Sequence, residues 1–160
     1  MEIHPSPPSV ISHFDRYHVN GPRTVIGANT DLKPGQCWPM LGSQGHLLIK
    51  LSHRVFLTGF SLEHISKTAS PTNSIASAPK DFEVEAFGDD AVNENPKRLG
   101  PFRYDGLEAL QHYSLNFTNN DRITENTTTS FVKLKILSNH GHSEYTCIYR
   151  FRVHGSYAGN

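Results

Sequence analysis

The side chains best suited to chemistry are concentrated near the C-terminal end of the chain, in residues 139–155. His140 and His142 flank a glycine there, and His154 follows in the same segment. Imidazoles bind zinc when several ligands converge and a carboxylate orients them, a role that Glu144 could fill. Because a glycine turn leaves the directions of the first two rings open, we expect turn residues here rather than a zinc site.

Carboxylates offer a second kind of chemistry, the paired acids of glycoside hydrolysis. Glu83, Glu85 and Glu108 are the candidates, but the alternation of Asp81–Gly88 puts the first two on a solvated strand face. The sequence also has no Gly-X-Ser-X-Gly elbow, phosphate-binding glycine loop or His-Glu-X-X-His motif. We therefore predict a binding module with no catalytic residue and no catalytic cofactor.

Length and charge narrow the class of protein further. The chain has 160 residues with 15 basic and 15 acidic side chains, which favours one domain and gives no electrostatic reason to bind nucleic acid. No apolar run approaches the roughly 18 residues that span a bilayer. The opening MEIHPSPPSV lacks a signal peptide's apolar core, so we expect any targeting segment upstream.

Short alternating segments separated by turn residues must position these side chains. The predicted strands, besides a short one near Val10–Phe14, are Thr24–Ile26, His46–Leu51, Val55–His64, Asp81–Gly88, Leu99–Tyr104, His112–Phe117, Phe131–Ser138 and a last strand through Tyr145–Val153. This pattern is typical of an all-β fold, and we predict an antiparallel β-sandwich of jelly-roll type with long binding loops.

Several features allow two interpretations at this point. The loop Ile65–Lys80 is either a binding loop or a flexible excursion. The pair Tyr145 and Tyr149 suits peptide or carbohydrate recognition, or else packs in the core. Cys37 and Cys147 are either reduced thiols or one disulfide.

Two Asn-X-Ser/Thr tripeptides give a hint of the cellular compartment in which the protein lies. They begin at Asn116 and Asn126, and they are candidate glycosylation sites that mildly favour an oxidising lumen.

Several blocks together resemble the SUN domain: GQCW at 35–38, LEHI at 62–65, SAPKDFEVEAFG at 77–88, and SNHGHSEYTCIYRFRVHG at 138–155. The resemblance implies a domain over residues 22–160, preceded by an irregular arm over residues 1–21. It implies a place in the perinuclear space as part of an inner-nuclear-membrane protein. The partner would be the C-terminal tail of a KASH protein, in the LINC complex that couples nucleus and cytoskeleton.

The resemblance also assigns roles to individual residues, each by its number in this sequence. The peptide-binding residues would be His64, Ser77, Tyr145 and Tyr149, and the disulfide would join Cys37 and Cys147. A cation loop over 26–36 would hold K⁺ or Na⁺, mainly through backbone carbonyls, with Ile26, Asn29, Asp31, Gln36 and Tyr149 at the matching positions.

Two departures from the family pattern shape the expectations. The arm before Pro22 is too short for the family's usual β-hairpin lid and has no cysteine, so we expect a lid that is truncated or absent. His140 stands where the family usually has tryptophan. The family's trimerising coiled coil is not in this chain, and we expect a weak trimer or a monomer here, against a homotrimer for the full-length protein. The alternative is a SUN-like luminal module without KASH binding, structural or carbohydrate-binding in role.

Overall fold

The computed structural model describes residues 2–5, 20–28, 31–117 and 127–159, the first of these as backbone only. These residues form nine strands and one short 3₁₀-helix. The strands are β1 (Glu2–Pro5), β2 (Trp38–Leu41), β3 (Gly45–Glu63), β4 (Asp81–Phe87), β5 (Lys97–Arg103), β6 (Leu110–Ser114), β7 (Thr128–Ile136), β8 (Tyr145–Ile148) and β9 (Arg150–Tyr157), and the 3₁₀-helix is Pro22–Ile26.

Strand β3 is the central strand of the larger sheet because its two halves pair largely with different neighbours. Its first half pairs antiparallel with β1 and β7, and a register shift follows between Lys50 and Val55. Its second half pairs antiparallel with β9 and β6. The sheet continues from β7 to β4 and β5, while β2 and β8 form a separate antiparallel pair. The predicted all-β antiparallel class is confirmed.

Alternating side chains explain why one face of each strand is buried. Val132, Leu134 and Ile136 of β7 are buried, and Lys133 and Lys135 between them point to the other face. The buried faces enclose a core rich in aromatic rings, in which Phe60 stacks on Phe151 with ring centroids 5.7 Å apart. Among the residues that the structure describes, no helix has the length and apolar character needed to cross a membrane.

The outer face of β4 is less solvated than the alternation predicted. Glu85 is only 5% exposed, and its carboxylate lies 3.3 Å from the Lys133 ammonium and 3.2 Å from that of Lys135. The prediction of a solvated face was therefore wrong for Glu85. The two neighbouring lysines cover it, and they come from β7, which is distant in sequence.

Four of the predicted strands differ from the observed structure in more than their ends. The single strand β3, Gly45–Glu63, takes the place of the two strands predicted at 46–51 and 55–64, since a bulge replaces the expected turn at 52–54. Residues 24–26 are helical because Pro22 fixes a backbone angle that suits a first helical turn. The last predicted strand breaks at Tyr149.

The arm is described only in part. Residues 2–5, within the predicted irregular arm, pair with β3, and the strand predicted near Val10–Phe14 lies outside the described residues. The boundary of the domain at residue 22 stays a prediction.

Candidate functional site

A cleft of about 290 Å³ lies where the long loop 65–80 meets the break between β8 and β9. All four residues predicted to bind peptide line it: His64, Ser77, Tyr145 and Tyr149. His64 directly follows β3, and Tyr149 is the single residue between β8 and β9. The sandwich thus brings together residues that are up to 85 positions apart, the difference between 149 and 64.

His64 is the most deeply placed of these side chains, with 2% of its surface exposed. Its Nδ1 lies 2.9 Å from the Ile65 carbonyl, so Nδ1 carries the proton and donates it. The other ring nitrogen, Nε2, is therefore an acceptor, and it is buried without a hydrogen-bond partner. Burial lowers the pKa of His64, which keeps the ring neutral.

Tyr149 connects the cleft to the loop before Cys37. Its hydroxyl oxygen accepts a hydrogen bond from the Gly35 N–H at 3.0 Å, and its ring meets His64 edge-on with centroids 4.8 Å apart. Because the oxygen is the acceptor, the hydroxyl hydrogen stays available to donate. Burial raises the pKa of Tyr149, so this hydrogen is retained at neutral pH.

Ser77 and Tyr145 complete the predicted set, in a wall of the cleft that Cys147 also lines. The Ser77 carbonyl accepts the Cys147 N–H at 2.8 Å, which holds the long loop against β8. Cys147 is bonded to Cys37 with Cα atoms 5.5 Å apart, so the predicted disulfide is confirmed. The Tyr145 ring is half-buried and packs against His142 with centroids 3.9 Å apart.

His142 is a cleft residue that sequence reasoning missed, since it was considered only as a zinc ligand and as part of a turn. Its Nδ1 accepts the backbone N–H groups of Glu144 at 3.2 Å and Tyr145 at 3.3 Å. The proton of the neutral ring is consequently on Nε2. Because His142 lies three residues before Tyr145, the sequence could have indicated that the two rings line the same cleft.

The other histidines considered for metal binding do not converge. His140 Nε2 lies 2.7 Å from the Tyr104 carbonyl, and His154 Nε2 lies 2.5 Å from the Ser61 hydroxyl. Across the described ranges of the chain, no three side chains of His, Cys, Asp or Glu are arranged to hold a metal ion.

A neighbouring cleft of about 280 Å³ lies under the predicted cation loop. Asp31, Gln36 and Tyr149 line it, while Ile26 packs against the main core and Asn29 lies outside the described residues. The other lining residues are Asn20, Thr24, Gly27, Leu32, Lys33 and Arg150. Side-chain oxygens at five of these nine positions are of the kind that a hard monovalent cation prefers, and Arg150 is paired with Glu63 at 3.3 Å.

The two candidate glycosylation sites are described unequally. Asn116 is exposed two residues after β6, and Asn126 lies outside the described residues.

Solved structures share this fold at low sequence identity. A putative chitobiase fragment from Bacteroides thetaiotaomicron matches with a TM-score of 0.63 and 16% identity, covering 88% of this chain and 78% of that one. The CBM32 domain of AlyQ, solved in complex with 4,5-unsaturated mannuronic acid, matches with a TM-score of 0.62 and 14% identity, covering 96% and 93%. These likenesses confirm the β-sandwich fold and carry nothing further.

Sequence relatives identify the family. SUN domain-containing protein 1 of Homo sapiens is 46% identical over 140 residues, which are 87% of this chain and 17% of that protein. Klaroid protein of Drosophila melanogaster is 41% identical over 140 residues, 87% of this chain and 14% of that protein. The chain thus spans less than a fifth of the length of these two relatives. The family model described as Sad1/UNC-like C-terminal matches residues 15–157, and the chain belongs to this family, that of the SUN domains.

Proposed function

We propose that this SUN domain binds the C-terminal tail of a KASH protein in the cleft formed by His64, Ser77, Tyr145 and Tyr149. The observation that carries the proposal is the buried, unpartnered Nε2 of His64 in the wall of that cleft. A buried acceptor without a partner costs free energy, which a ligand that donates a hydrogen bond recovers. The neutral cleft therefore suits a polar peptide end rather than a purely apolar one.

Each side chain has a distinct part in holding the tail. Ser77 and Tyr149 donate their hydroxyl hydrogens to the terminal carboxylate, while the Tyr149 oxygen stays bound to Gly35. His64 Nε2 accepts a backbone N–H of the tail, and the rings of Tyr145 and His142 pack against it.

The setting proposed for this interaction is the perinuclear space. Membership of the SUN family supports it, and so does the Cys37–Cys147 bridge, because disulfides persist in oxidising compartments. There the domain bridges the inner and outer nuclear membranes as part of the LINC complex. Its parent protein is a homotrimer, whereas this chain alone forms a weak trimer or a monomer. Sedimentation at micromolar concentration will therefore give an average mass below that of a trimer.

A K⁺ or Na⁺ ion in the loop 26–36 is part of the same proposal. Asp31 and Gln36 would hold it together with backbone carbonyls, and Tyr149 would link it to the peptide cleft through Gly35. The positive charge of the ion attracts the carbonyl oxygens of the loop, which would otherwise repel one another. Exchanging K⁺ and Na⁺ for choline will therefore weaken tail binding.

One titration tests the proposal. A synthetic KASH tail with a free carboxylate will bind the chain, and the same tail amidated at its end will bind at least tenfold more weakly, since charge-assisted hydrogen bonds contribute about 1.5–3 kcal/mol. Ser77→Ala will weaken the free tail, while the exposed Ser156→Ala on β9 serves as the matched control. Equal affinity for both tails contradicts the carboxylate role. Absence of binding to either leaves the alternative, a structural or carbohydrate-binding module without KASH binding.

A further inference from the structure

A buried ion pair joins Glu63, the last residue of β3, to Arg150, the first residue of β9. Nη1 of Arg150 donates a hydrogen bond to the Glu63 carboxylate at 3.3 Å. The Arg150 side chain is 7% exposed and the Glu63 side chain is 20% exposed. Within the described part of the chain, Glu63 is the only carboxylate at ion-pair distance from Arg150. A guanidinium buried to this degree depends on its partner, because an uncompensated buried charge is strongly unfavourable.

The pair closes the antiparallel ladder between β3 and β9. This ladder contains a register shift, and it ends where Glu63 stands opposite Arg150. The buried apolar pair Leu62 and Phe151 comes immediately before it. Apolar side chains tolerate small displacements, whereas an ion pair is satisfied only when its two charged groups meet. The ion pair therefore fixes how the ends of the two strands lie against each other.

The end of β3 is also held at its other edge. Glu63 stands opposite Leu110 of β6 in the register of that pairing. The N–H of the next residue, His64, donates to the Ala109 carbonyl at 3.0 Å. The end of β3 is thus held between β6 and β9, and the ion pair is a side-chain contact on the β9 side.

Two rings of the peptide cleft are the immediate neighbours of this pair in sequence. His64 follows Glu63, and Tyr149 precedes Arg150. The two rings meet edge-on with centroids 4.8 Å apart, and both line the cleft. Neither Glu63 nor Arg150 lines it. Any effect of the ion pair on a bound peptide is therefore indirect and passes through the positions of the rings.

We propose that Glu63 and Arg150 are positioning residues of the peptide cleft. By holding the ends of β3 and β9 together, the ion pair keeps the His64 ring against Tyr149, with Nδ1 on the Ile65 carbonyl and Nε2 in the cleft wall. Without the pair, the remaining buried charge turns toward water and the two strand ends separate. The His64 ring then loses the fixed orientation that makes Nε2 an acceptor for the peptide. The inference rests on the proposed function for its ligand, but the ring geometry can be measured without one.

The first measurement uses the free chain. Long-range ¹H–¹⁵N correlation NMR at pH 7.5 will show His64 as a single neutral tautomer with its proton on Nδ1. Arg150→Met leaves the Glu63 carboxylate without its partner and will shift or double the His64 ring signals. Glu85→Gln, a buried carboxylate on β4 outside the cleft lining, is the matched control and will keep the wild-type signals. Unchanged His64 signals in Arg150→Met overturn the proposal.

The second measurement is calorimetric titration with the KASH tail that has a free carboxylate. Arg150→Met and Glu63→Gln will each weaken binding by about tenfold, a typical coupling between neighbouring groups. Arg150→Lys will lose less than Arg150→Met, because its ammonium can still pair with Glu63. Glu85→Gln will bind as the wild type does, whatever stability it loses. Equal losses in Arg150→Met and Glu85→Gln overturn the positioning role, since they would reflect stability alone.

A double variant keeps the test decisive where a single variant fails to fold. Glu63→Leu/Arg150→Met leaves no unpaired buried charge, so the domain will fold. Its apolar side chains do not restore the directional contact, and we expect binding weakened by about threefold or more. Wild-type affinity and His64 signals in this variant overturn the proposal. A wild-type chain that binds no tail, beside altered His64 signals in Arg150→Met, contradicts the proposed function and leaves the positioning role standing.

Discussion

The Tyr149 hydroxyl accepts a hydrogen bond from the Gly35 backbone N–H at 3.0 Å, and this bond joins the last strands of the chain to the loop before Cys37. The two residues are 114 positions apart, and Tyr149 lines both the peptide cleft and the cation-loop cleft. The Tyr149 side chain is therefore part of the wall of both clefts.

Tyr149→Phe tests this link. The change removes the acceptor of the Gly35 N–H, on an exposed residue, and one donor from the peptide cleft, so we expect a loss of about 0.5–1.5 kcal/mol in unfolding free energy. Tail affinity will fall by about tenfold, measured by calorimetric titration. Tyr157→Phe, at an exposed residue of β9, is the matched control. Wild-type stability and affinity in Tyr149→Phe would show that the bond has no role.

Removing the disulfide will destabilise the domain strongly. Cys37 and Cys147 are separated by 110 positions, and the chain-entropy model assigns a loop of that length about 4–5 kcal/mol. The double variant Cys37→Ser/Cys147→Ser will lower the urea midpoint by an amount that corresponds to this loss of unfolding free energy. Tail affinity will fall as well, because Cys147 lies in the wall of the peptide cleft. An unchanged midpoint would mean that packing of β2 against β8 alone holds this region.

Stability will fall on mild acidification because of three histidines. Burial is the main cause that lowers the pKa of His46, His64 and His154 below 6.5. The folded state then binds fewer protons than the unfolded state, so their contribution is complete above pH 6.5 and is lost as the pH falls below it. Urea unfolding at pH 7.5 and 5.5 will show a lower midpoint at 5.5.

The histidine origin of that effect can be separated from carboxylate effects. The pKa values of Asp81, Asp90 and Glu85 are lowered, so these groups lose their stabilising charge only below their ordinary range near 4. The variant His64→Gln will reduce the difference between pH 7.5 and 5.5, and the exposed His53→Gln will not. A pH difference that survives His64→Gln in full would assign the effect to the other two rings.

Glu85→Gln will cost more stability than Glu83→Gln on the same strand. Glu85 is buried beside Lys133 and Lys135, and neutralising it leaves two partly buried ammonium groups with a weaker partner. We expect a loss of about 1–3 kcal/mol, below the value for a fully buried pair because the lysines are partly solvated. The Glu83 side chain is 30% exposed, and its change will cost under about 1 kcal/mol. Equal costs in urea unfolding would contradict the buried-pair description.

The alternation of apolar and polar residues along the sequence was sufficient to predict the fold class and most of the strands. The alternation of β4 and β7 follows directly from residues 81–88 and 131–138, since a strand exposes its two faces in turn. Local pattern was not enough for Gly45–Glu63, where a bulge lets one strand continue through a polar segment that resembled a turn. It also misplaced Glu85, whose burial depends on lysines of another strand.

The sequence by itself determined the all-β class and the family resemblance, because these depend on residue types and order along the chain, and the resemblance is the source of the four residues predicted to bind peptide. Only the tertiary structure decided that His64 Nε2 is a buried acceptor and that His142 shares the cleft. Hydrogen-bond partners, burial and clefts arise from strands that meet across long separations in sequence, and local spacing carries no information about which strands those are.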